Sequence, residues 1–148
     1  WANHPLRKSV GAVINMEARA GGGRTTLFQT SHQNGEAMQV YADAVRRPGA
    51  SSLAAFVYAL LPNDSDLTPV IKDDYAAYNF AFIGRSGLYH SPMATPGNLD
   101  QGSLQDMGGQ VLDLTQALLK ADRLPQNAIE ARPARRARSV GEGGRTST

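Results

Sequence analysis

The sequence contains no cysteine and no long hydrophobic run. Without cysteine the chain can form neither a disulfide framework nor a thiolate metal site. A membrane-spanning helix needs about 18 or more consecutive apolar residues, and no stretch of these 148 residues comes near that length. Charged residues make up 19% of the chain and hydrophobic residues 41%, which is the balance of a globular domain.

Basic residues are concentrated at the C-terminal end, although the net charge is only +2. Five arginines fall within residues 132–148, where Ala, Gly, Ser and Thr make up most of the remainder. This composition is typical of disorder. We therefore predict a folded part at residues 1–124 and a disordered tail at 125–148. No aromatic residue lies among the arginines to stack on bases, so the tail does not predict nucleic-acid binding.

The first part of the folded region predicts two strands and a helix. Residues 10–18 form a β-branched segment that ends on a carboxylate, Glu17, and residues 25–30 form a second strand. The glycine-rich turn between them is of the kind that serves backbone geometry. Asn34 is placed to cap a helix that continues to about Arg47.

Residues 52–61 are apolar and fit either a strand or a helix. After a polar turn, Asp64 or Ser65 can cap a short helix. Residues 78–83 have the low charge of a strand that is covered on both faces.

Further on, Ser103 and Asp106 have the spacing of a capping box, which predicts a helix that begins at Ser103. Its apolar stripe, at helical spacing, comprises Leu104, Met107, Val111, Leu114 and Leu118. This order of elements predicts a layered α/β fold with a mixed sheet.

One side chain qualifies as a candidate site residue from its position alone. His90 follows the buried strand and a glycine-broken loop, and ligand sites of open α/β sheets gather at the carboxyl ends of strands. It is a candidate metal ligand or general base, and the alternative is a loop histidine without a role. Glu17 is a carboxylate near the end of a strand, and the interpretation that its own neighbourhood favours is an ion pair with Arg19 or Arg24.

Several blocks of the sequence, taken together, resemble one family. They are Val-Ile-Asn-Met-Glu-Ala-Arg at 13–19, Leu-Phe-Gln-Thr at 27–30, Leu-Leu-Pro-Asn-Asp-Ser-Asp at 60–66, Asn-Phe-Ala-Phe-Ile-Gly at 79–84, Tyr-His-Ser-Pro at 89–92 and Asn-Leu-Asp-Gln-Gly-Ser-Leu-Gln at 98–105. Their order and spacing are similar to those of the co-catalytic zinc metallopeptidases of family 28, and most like its vacuolar and endoplasmic-reticulum membrane members and their bacterial relatives. The resemblance implies a three-layer α/β/α sandwich, present here as a partial domain: the C-terminal half of the catalytic domain.

The resemblance also implies a metal site. In such enzymes two zinc ions share a bridging aspartate and a water, and each ion takes one further carboxylate and one histidine. Glu17 matches the carboxylate that binds one zinc and His90 the histidine that binds the other, and both are ordinary zinc ligands. Asp66 falls where it could support a ligand from behind, and its alternative role is to cap a helix. Tyr89 falls where it could line the substrate pocket, and its alternative is to pack against the sheet. His4 and His32 match nothing in the family, and we expect them to be solvated.

The chain departs from the family pattern in two ways. The other metal ligands and the general-base glutamate match nothing here, so we expect them upstream of Trp1, no catalytic residue within the chain, and no activity from the fragment alone. The family usually has an aspartate four residues after the zinc-binding histidine, and this chain has Ala94. A carboxylate behind a metal-binding imidazole typically contributes about 10–100-fold to affinity or activity.

The resulting hypothesis is that the parent protein is a zinc-dependent exopeptidase, most like an aminopeptidase, that hydrolyses peptide substrates and does not act on nucleic acid. Membrane attachment through regions outside this chain would follow from the same resemblance, with the vacuole, the endoplasmic reticulum or the bacterial envelope as the location. The alternative is a non-catalytic module that keeps the peptidase scaffold and binds proteins. Aminopeptidase and carboxypeptidase action are not separated by these residues.

Overall fold

The computed structural model describes residues 3–19, 21–61, 64–71 and 75–125. They form three strands, four α-helices and three short 3-10 turns. The strands are β1 (Ala12–Ala18), β2 (Thr26–Thr30) and β3 (Ala76–Phe82). The helices are α1 (Gly35–Ala44), α2 (Ser52–Leu60), α3 (Thr68–Ile71) and α4 (Gln101–Lys120), and the 3-10 turns are Arg7–Ser9, Ser86–Leu88 and Pro96–Asn98.

The strands form a mixed sheet in the order β1-β3-β2. β3 lies in the centre, parallel to β1 and antiparallel to β2. Every residue of β3 is buried, as its low charge predicts for a strand covered on both faces. The expected mixed α/β sheet is therefore confirmed, with a register irregularity in β2 between Leu27 and Gln29.

Helices cover both faces of the sheet. On one face the aromatic side chains Tyr78, Phe80 and Phe82 join a core to which α1 and α4 contribute. On the other face Ala77 packs with Leu67 and with Val70 of α3. Because alternate residues of a strand point to opposite faces, one strand supplies both cores. The layers are those expected of an α/β/α sandwich fragment.

Helix α1 begins where the sequence predicts but is held differently. Asn34 occupies the N-cap position, yet its side chain makes no capping hydrogen bond and donates to Thr30 Oγ1 instead. The helix ends at Ala44 rather than near Arg47. Arg46, beyond the end, forms hydrogen bonds and an ion pair with Asp113 of α4. Arg46 therefore links the end of α1 to α4.

The predicted capping box of α4 is wrong. The helix begins at Gln101, and the carboxylate of Asp100 accepts the capping hydrogen bond from Ser103 N at 2.8 Å. Ser103 lies inside the first turn, and Asp106 accepts from the backbone N–H of Thr25 at 3.0 Å instead of folding back on the helix. Most of the predicted apolar stripe is confirmed: Met107, Leu114 and Leu118 are buried, whereas Leu104 is exposed.

The ambiguous segment at 52–61 is a helix, α2, with Ser51 as its cap. It packs beside β2, and none of its residues is buried. Leu53, Phe56 and Leu60 have more than half of their surface exposed, at 69%, 62% and 68%. The apolar character of this segment therefore does not reflect a position in the core.

No helix in the described part of the chain has the length and apolar character needed to cross a bilayer. The predicted boundary at residue 124 and the predicted disorder of the tail concern a region of which Pro125 alone is described, and residues 126–148 lie outside the described residues.

Candidate metal site

The candidate ligands belong to one end of the sheet. Glu17 is the penultimate residue of β1 and lies in register with Ala81 near the end of β3. Because β1 and β3 are parallel, their carboxyl ends meet at the same edge, which is where open α/β sheets bind ligands. His90 lies on the loop that leaves this end of β3. The fold therefore places both residues at the same end of the sheet, with Glu17 near the end of a strand and His90 on a loop.

The carboxylate of Glu17 is largely enclosed, with about 20% of its side chain exposed. Its Oε1 accepts a hydrogen bond from Asn15 Nδ2 at 2.9 Å. Its Oε2 accepts one from Arg19 Nε at 2.6 Å, which is also an ion pair. Arg19 is thus the partner in the ion-pair alternative, and Arg24 instead donates to the carbonyl of Pro48.

Arg19 is the cation that faces the candidate site. Its Nη2 donates to Tyr58 Oη and to the carbonyl of Asp64, each at 3.3 Å. Its guanidinium lies 5.9 Å from the ring centre of Phe28 and 5.1 Å from that of Tyr58, within cation–π range. Burial lowers the pKa of Arg19, but the hydrogen bond and charge of Glu17 raise it more, so the net pKa lies above its usual value.

A row of amide side chains crosses the three strands beneath Glu17. Asn15 Nδ2 donates to Asn79 Oδ1 at 2.8 Å as well as to Glu17. Asn79 Nδ2 donates to Gln29 Oε1 at 3.0 Å and to Ser65 Oγ at 2.9 Å. Asn79 is fully buried in the central strand. The row therefore connects the carboxylate on β1 to β3, β2 and the loop that precedes α3.

His90 is exposed and has an unusual backbone. Its φ of 54° lies in the left-handed region, which few non-glycine residues adopt. Its ring stacks on Tyr89, with 3.9 Å between ring centroids and 20° between planes. The surrounding turns are closed by backbone hydrogen bonds from Tyr89 N to Ser86 O and from Ser91 N to Leu88 O. The histidine is thus presented outward on a well-bonded loop.

The glycine-rich turn holds the base of that loop. Gly22 N donates to Gly84 O at 3.2 Å, and Asp100 N donates to Gly21 O at 2.8 Å. Gly23 has a φ of 106°, and a Cβ there would lie 2.9 Å from Gly84 N. The expectation that this turn serves backbone geometry is therefore confirmed, because only glycine fits between the β1–β2 and β3–α4 connections.

Two open cavities border the loop and share Tyr89. One, of about 490 Å³, is lined by His90, Ala94 and Leu88 among others. The other, of about 310 Å³, is mostly apolar and contains Arg19. Its wall includes Phe28, Val57, Tyr58, Leu61, Ile83 and Tyr89. Tyr89 thus stands between the candidate ligand His90 and an apolar recess.

The remaining sequence candidates occupy exposed positions. Asp66 is exposed, and its neighbour Ser65 carries the hydrogen bond to the amide row. Ala94, where the family pattern has an aspartate, lines the same cavity as His90. His4 and His32 are exposed, as expected. The backbone N–H of Leu6 donates to His4 Nδ1.

Glu17 and His90 offer the donor chemistry that zinc requires, a carboxylate oxygen and an imidazole nitrogen. Among the described residues no group of three or more His, Asp or Glu side chains is arranged to hold a metal ion. Glu17 and His90 therefore suit zinc but supply only part of the ligands that an ion requires. The oxygens of a carboxylate offer about four lone-pair sites, so the two hydrogen bonds to Glu17 leave capacity for a cation.

Sequence reasoning missed the residues that surround Glu17. Asn79 was hidden in an apolar run, and the signal for it was its position on the opposite face from Tyr78 and Phe80. Asn15 gives a similar signal, because it lies two residues before Glu17 and therefore on the same face of the strand. The sequence indicates Arg19 only as an ion-pair partner of Glu17, because nothing in it points to the contacts with Tyr58 and Phe28.

The fold and site so far define an α/β fragment with metal-type donors at one edge of its sheet. Comparison with known families gives a match to peptidase family M28 over residues 1–115. The chain therefore belongs to peptidase family M28, and membership implies a metal cofactor.

Individual relatives agree with this assignment. The chain is 30% identical over 125 residues to human endoplasmic reticulum metallopeptidase 1, covering 82% of this chain and 14% of that protein. It is 30% identical over 115 residues to a vacuolar membrane protease of Eremothecium gossypii, covering 76% of this chain and 11% of the relative. The resemblance to endoplasmic-reticulum and vacuolar membrane peptidases is thus confirmed. The chain spans about one seventh of the human relative. No solved structure matches it.

Proposed function

We propose that this chain is part of a zinc-dependent exopeptidase of the aminopeptidase type, with Glu17 and His90 as metal ligands, one for each of two zinc ions. The observation that carries the proposal is the Glu17 carboxylate at the carboxyl end of β1, within the residues that match the family. Its acceptor atoms are held by Asn15 and Arg19, so the carboxylate has a defined direction before any metal binds.

Zinc would supply Lewis acidity, which polarises a peptide carbonyl and makes water a better nucleophile. The chain's own residues would do the remaining work. Glu17 and His90 would hold the ions, and Arg19 and Asn15 would orient the carboxylate of Glu17. Tyr89 and the apolar recess beside Arg19 would receive a substrate side chain and exclude water from it. Asp66, on the same loop as Ser65, would lie at the margin of this region.

The general base and the remaining ligands would come from sequence outside this chain. Zinc sites normally use three or more protein ligands per ion, so the fragment alone is expected to be inactive. By analogy with the relatives' names, peptides would be the substrates. The full protein would be associated with a membrane of the endoplasmic reticulum, the vacuole or a bacterial envelope.

The test is the zinc content and aminopeptidase activity of the full-length gene product. The wild type should hold about two zinc ions per chain and hydrolyse substrates with an unblocked N-terminus. Glu17→Gln and His90→Ala should each lower both. His32→Ala is the matched control, because His32 is an exposed histidine on another loop. Zinc content that is independent of Glu17 and His90 would reject the ligand assignment, and hydrolysis confined to free C-termini would reject the aminopeptidase type.

A second candidate is a non-catalytic module that keeps the scaffold and binds proteins. Two observations favour it: Ala94 stands in place of the family's aspartate, and Glu17 already has a cationic partner in Arg19. The same zinc measurement separates the two. A full-length protein without bound zinc, but correctly folded, would support the module, and about two ions per chain would exclude it.

A further inference from the structure

The hydrogen bonds around Asn79 have a fixed direction. Asn79 Nδ2 has two hydrogens and uses them on Gln29 Oε1 and Ser65 Oγ, while its Oδ1 accepts from Asn15. Asn15 Nδ2 in turn uses its two hydrogens on Asn79 and Glu17. An ionised carboxylate can only accept. Glu17 therefore fixes which way the donors and acceptors of the row point. If the amide of Asn15 were flipped, its oxygen would face two acceptors, Glu17 Oε1 and Asn79 Oδ1.

A second path joins Glu17 to the same loop. Arg19 bridges Glu17 Oε2 to the carbonyl of Asp64, and Asn79 reaches Oγ of the next residue, Ser65. The two paths and the peptide link between Asp64 and Ser65 form a closed ring that includes the carboxylate and passes through β1, β3 and the loop that precedes α3. Each oxygen of Glu17 is thus held from a different side.

Burial makes this ring costly to break. Asn79 is fully buried, and Asn15 is half-buried. A buried amide that loses its partner pays the desolvation cost of an unsatisfied polar group. The row occupies the centre of the sheet, where apolar side chains would pack without that risk. Its position next to Glu17 gives it a role that packing does not explain.

We propose that Asn79 is a positioning residue, which acts through Asn15 to fix the Glu17 carboxylate in the direction required for metal binding. The inference rests on the proposed function for the metal. It goes further in assigning a role to a buried residue that itself contacts neither metal nor substrate. Groups that orient a ligand from behind typically contribute about 10–100-fold to metal affinity, and the same effect is expected for removal of Asn79.

The first arm of the test uses this chain without metal. In Asn79→Ala the carboxyl carbon resonance of Glu17 should shift, and the side-chain amide protons of Asn15 should lose protection from exchange. Tyr78→Phe is the matched control, because Tyr78 is equally buried and adjacent but points to the other core. An unshifted Glu17 signal in Asn79→Ala would overturn the proposal. If Asn79→Ala does not fold, Asn79→Ser, which keeps a small polar side chain but removes the acceptor of Asn15, gives the same readout.

The second arm measures zinc binding by the full-length gene product. Asn79→Ala should raise the zinc dissociation constant by about 10–100-fold, and Tyr78→Phe should leave it unchanged. Equal effects of the two variants would mean a purely structural role and would overturn the proposal. If zinc binding by the wild type does not depend on Glu17 and His90, the proposed function fails, and the metal-free arm still decides whether Asn79 positions Glu17.

Discussion

At the scale of single residues, Glu17 combines a charged partner on one oxygen with a neutral partner on the other. Arg19 balances its charge, and Asn15 adds a donor without adding charge. This division gives each oxygen of the carboxylate a hydrogen-bond donor although only a small part of the side chain is exposed. A metal ion bound to Glu17 would be repelled by the guanidinium of Arg19. Glu17 would therefore bind the ion more weakly than a carboxylate without a cationic partner.

Gly23 is the residue whose substitution should have the clearest local cost. Gly23→Ala is expected to destabilise the chain by about 1–3 kcal/mol, because alanine is strained at a positive φ and its Cβ would press against the backbone of Gly84. Urea denaturation measures the change. Gly35→Ala is the control, since no atom lies within 4 Å of a Cβ there. That substitution should leave stability unchanged or raise it by about 0.4–1 kcal/mol. Equal effects at both positions would contradict the strain at Gly23.

At the scale of elements, the start of α4 depends on a single carboxylate. Hydrogen bonds from the backbone N–H and then the hydroxyl of Ser103 hold the pKa of Asp100 below its usual 3.8. A lowered pKa in the folded state stabilises the fold at pH values above the usual pKa. This contribution is lost as the pH falls through the folded-state pKa.

Asp100→Ala should therefore reduce stability at neutral pH and should change it little once the carboxylate of the wild type is protonated. Thermal unfolding at pH values from 7 down to below 3.8 measures the difference. Asp122→Ala, at an exposed aspartate beyond the end of α4, is the control and should shift the curves little at any pH. A constant difference between wild type and Asp100→Ala over the whole range would show that the carboxylate is not the cause.

The elements themselves were largely predictable, whereas their ends were not. Apolar periodicity identified α4, and low charge identified β3, because both signals come from burial over many residues. The start of α4 was predicted incorrectly because Asp100 and Ser103 both suit a cap, and only the contact of Asp106 with Thr25 decides between them. For the site, Glu17 and His90 could be proposed from the sequence. The amide row could not, because it depends on the register of three strands.

At the scale of the whole molecule, stability rests on the central strand. Phe80 is fully buried and lies 5.7 Å from the ring of Tyr41 on α1. Phe80→Ala is expected to cost about 3–5 kcal/mol, a large part of the about 5–15 kcal/mol that holds a typical domain together. Calorimetry or urea denaturation of the purified chain measures this loss.

The control for Phe80→Ala is Leu53→Ala on α2, because 69% of the surface of Leu53 is exposed. Stability there should stay within about 0.5 kcal/mol of the wild type, because little apolar surface returns to water. A loss at Leu53 as large as that at Phe80 would mean that α2 is buried against something in solution.

The parallel pairing of β1 with β3 also has a consequence for the order in which the chain assembles. Asn15 and Asn79 are neighbours in space but 64 positions apart in sequence. Contacts of such separation require a long loop to close first, which makes them slow to form. The segment between these two strands, which includes β2, α1, α2 and α3, must form a closed loop when β1 pairs with β3. Until that pairing forms, the strand that carries Glu17 lacks the backbone hydrogen bonds that β3 supplies.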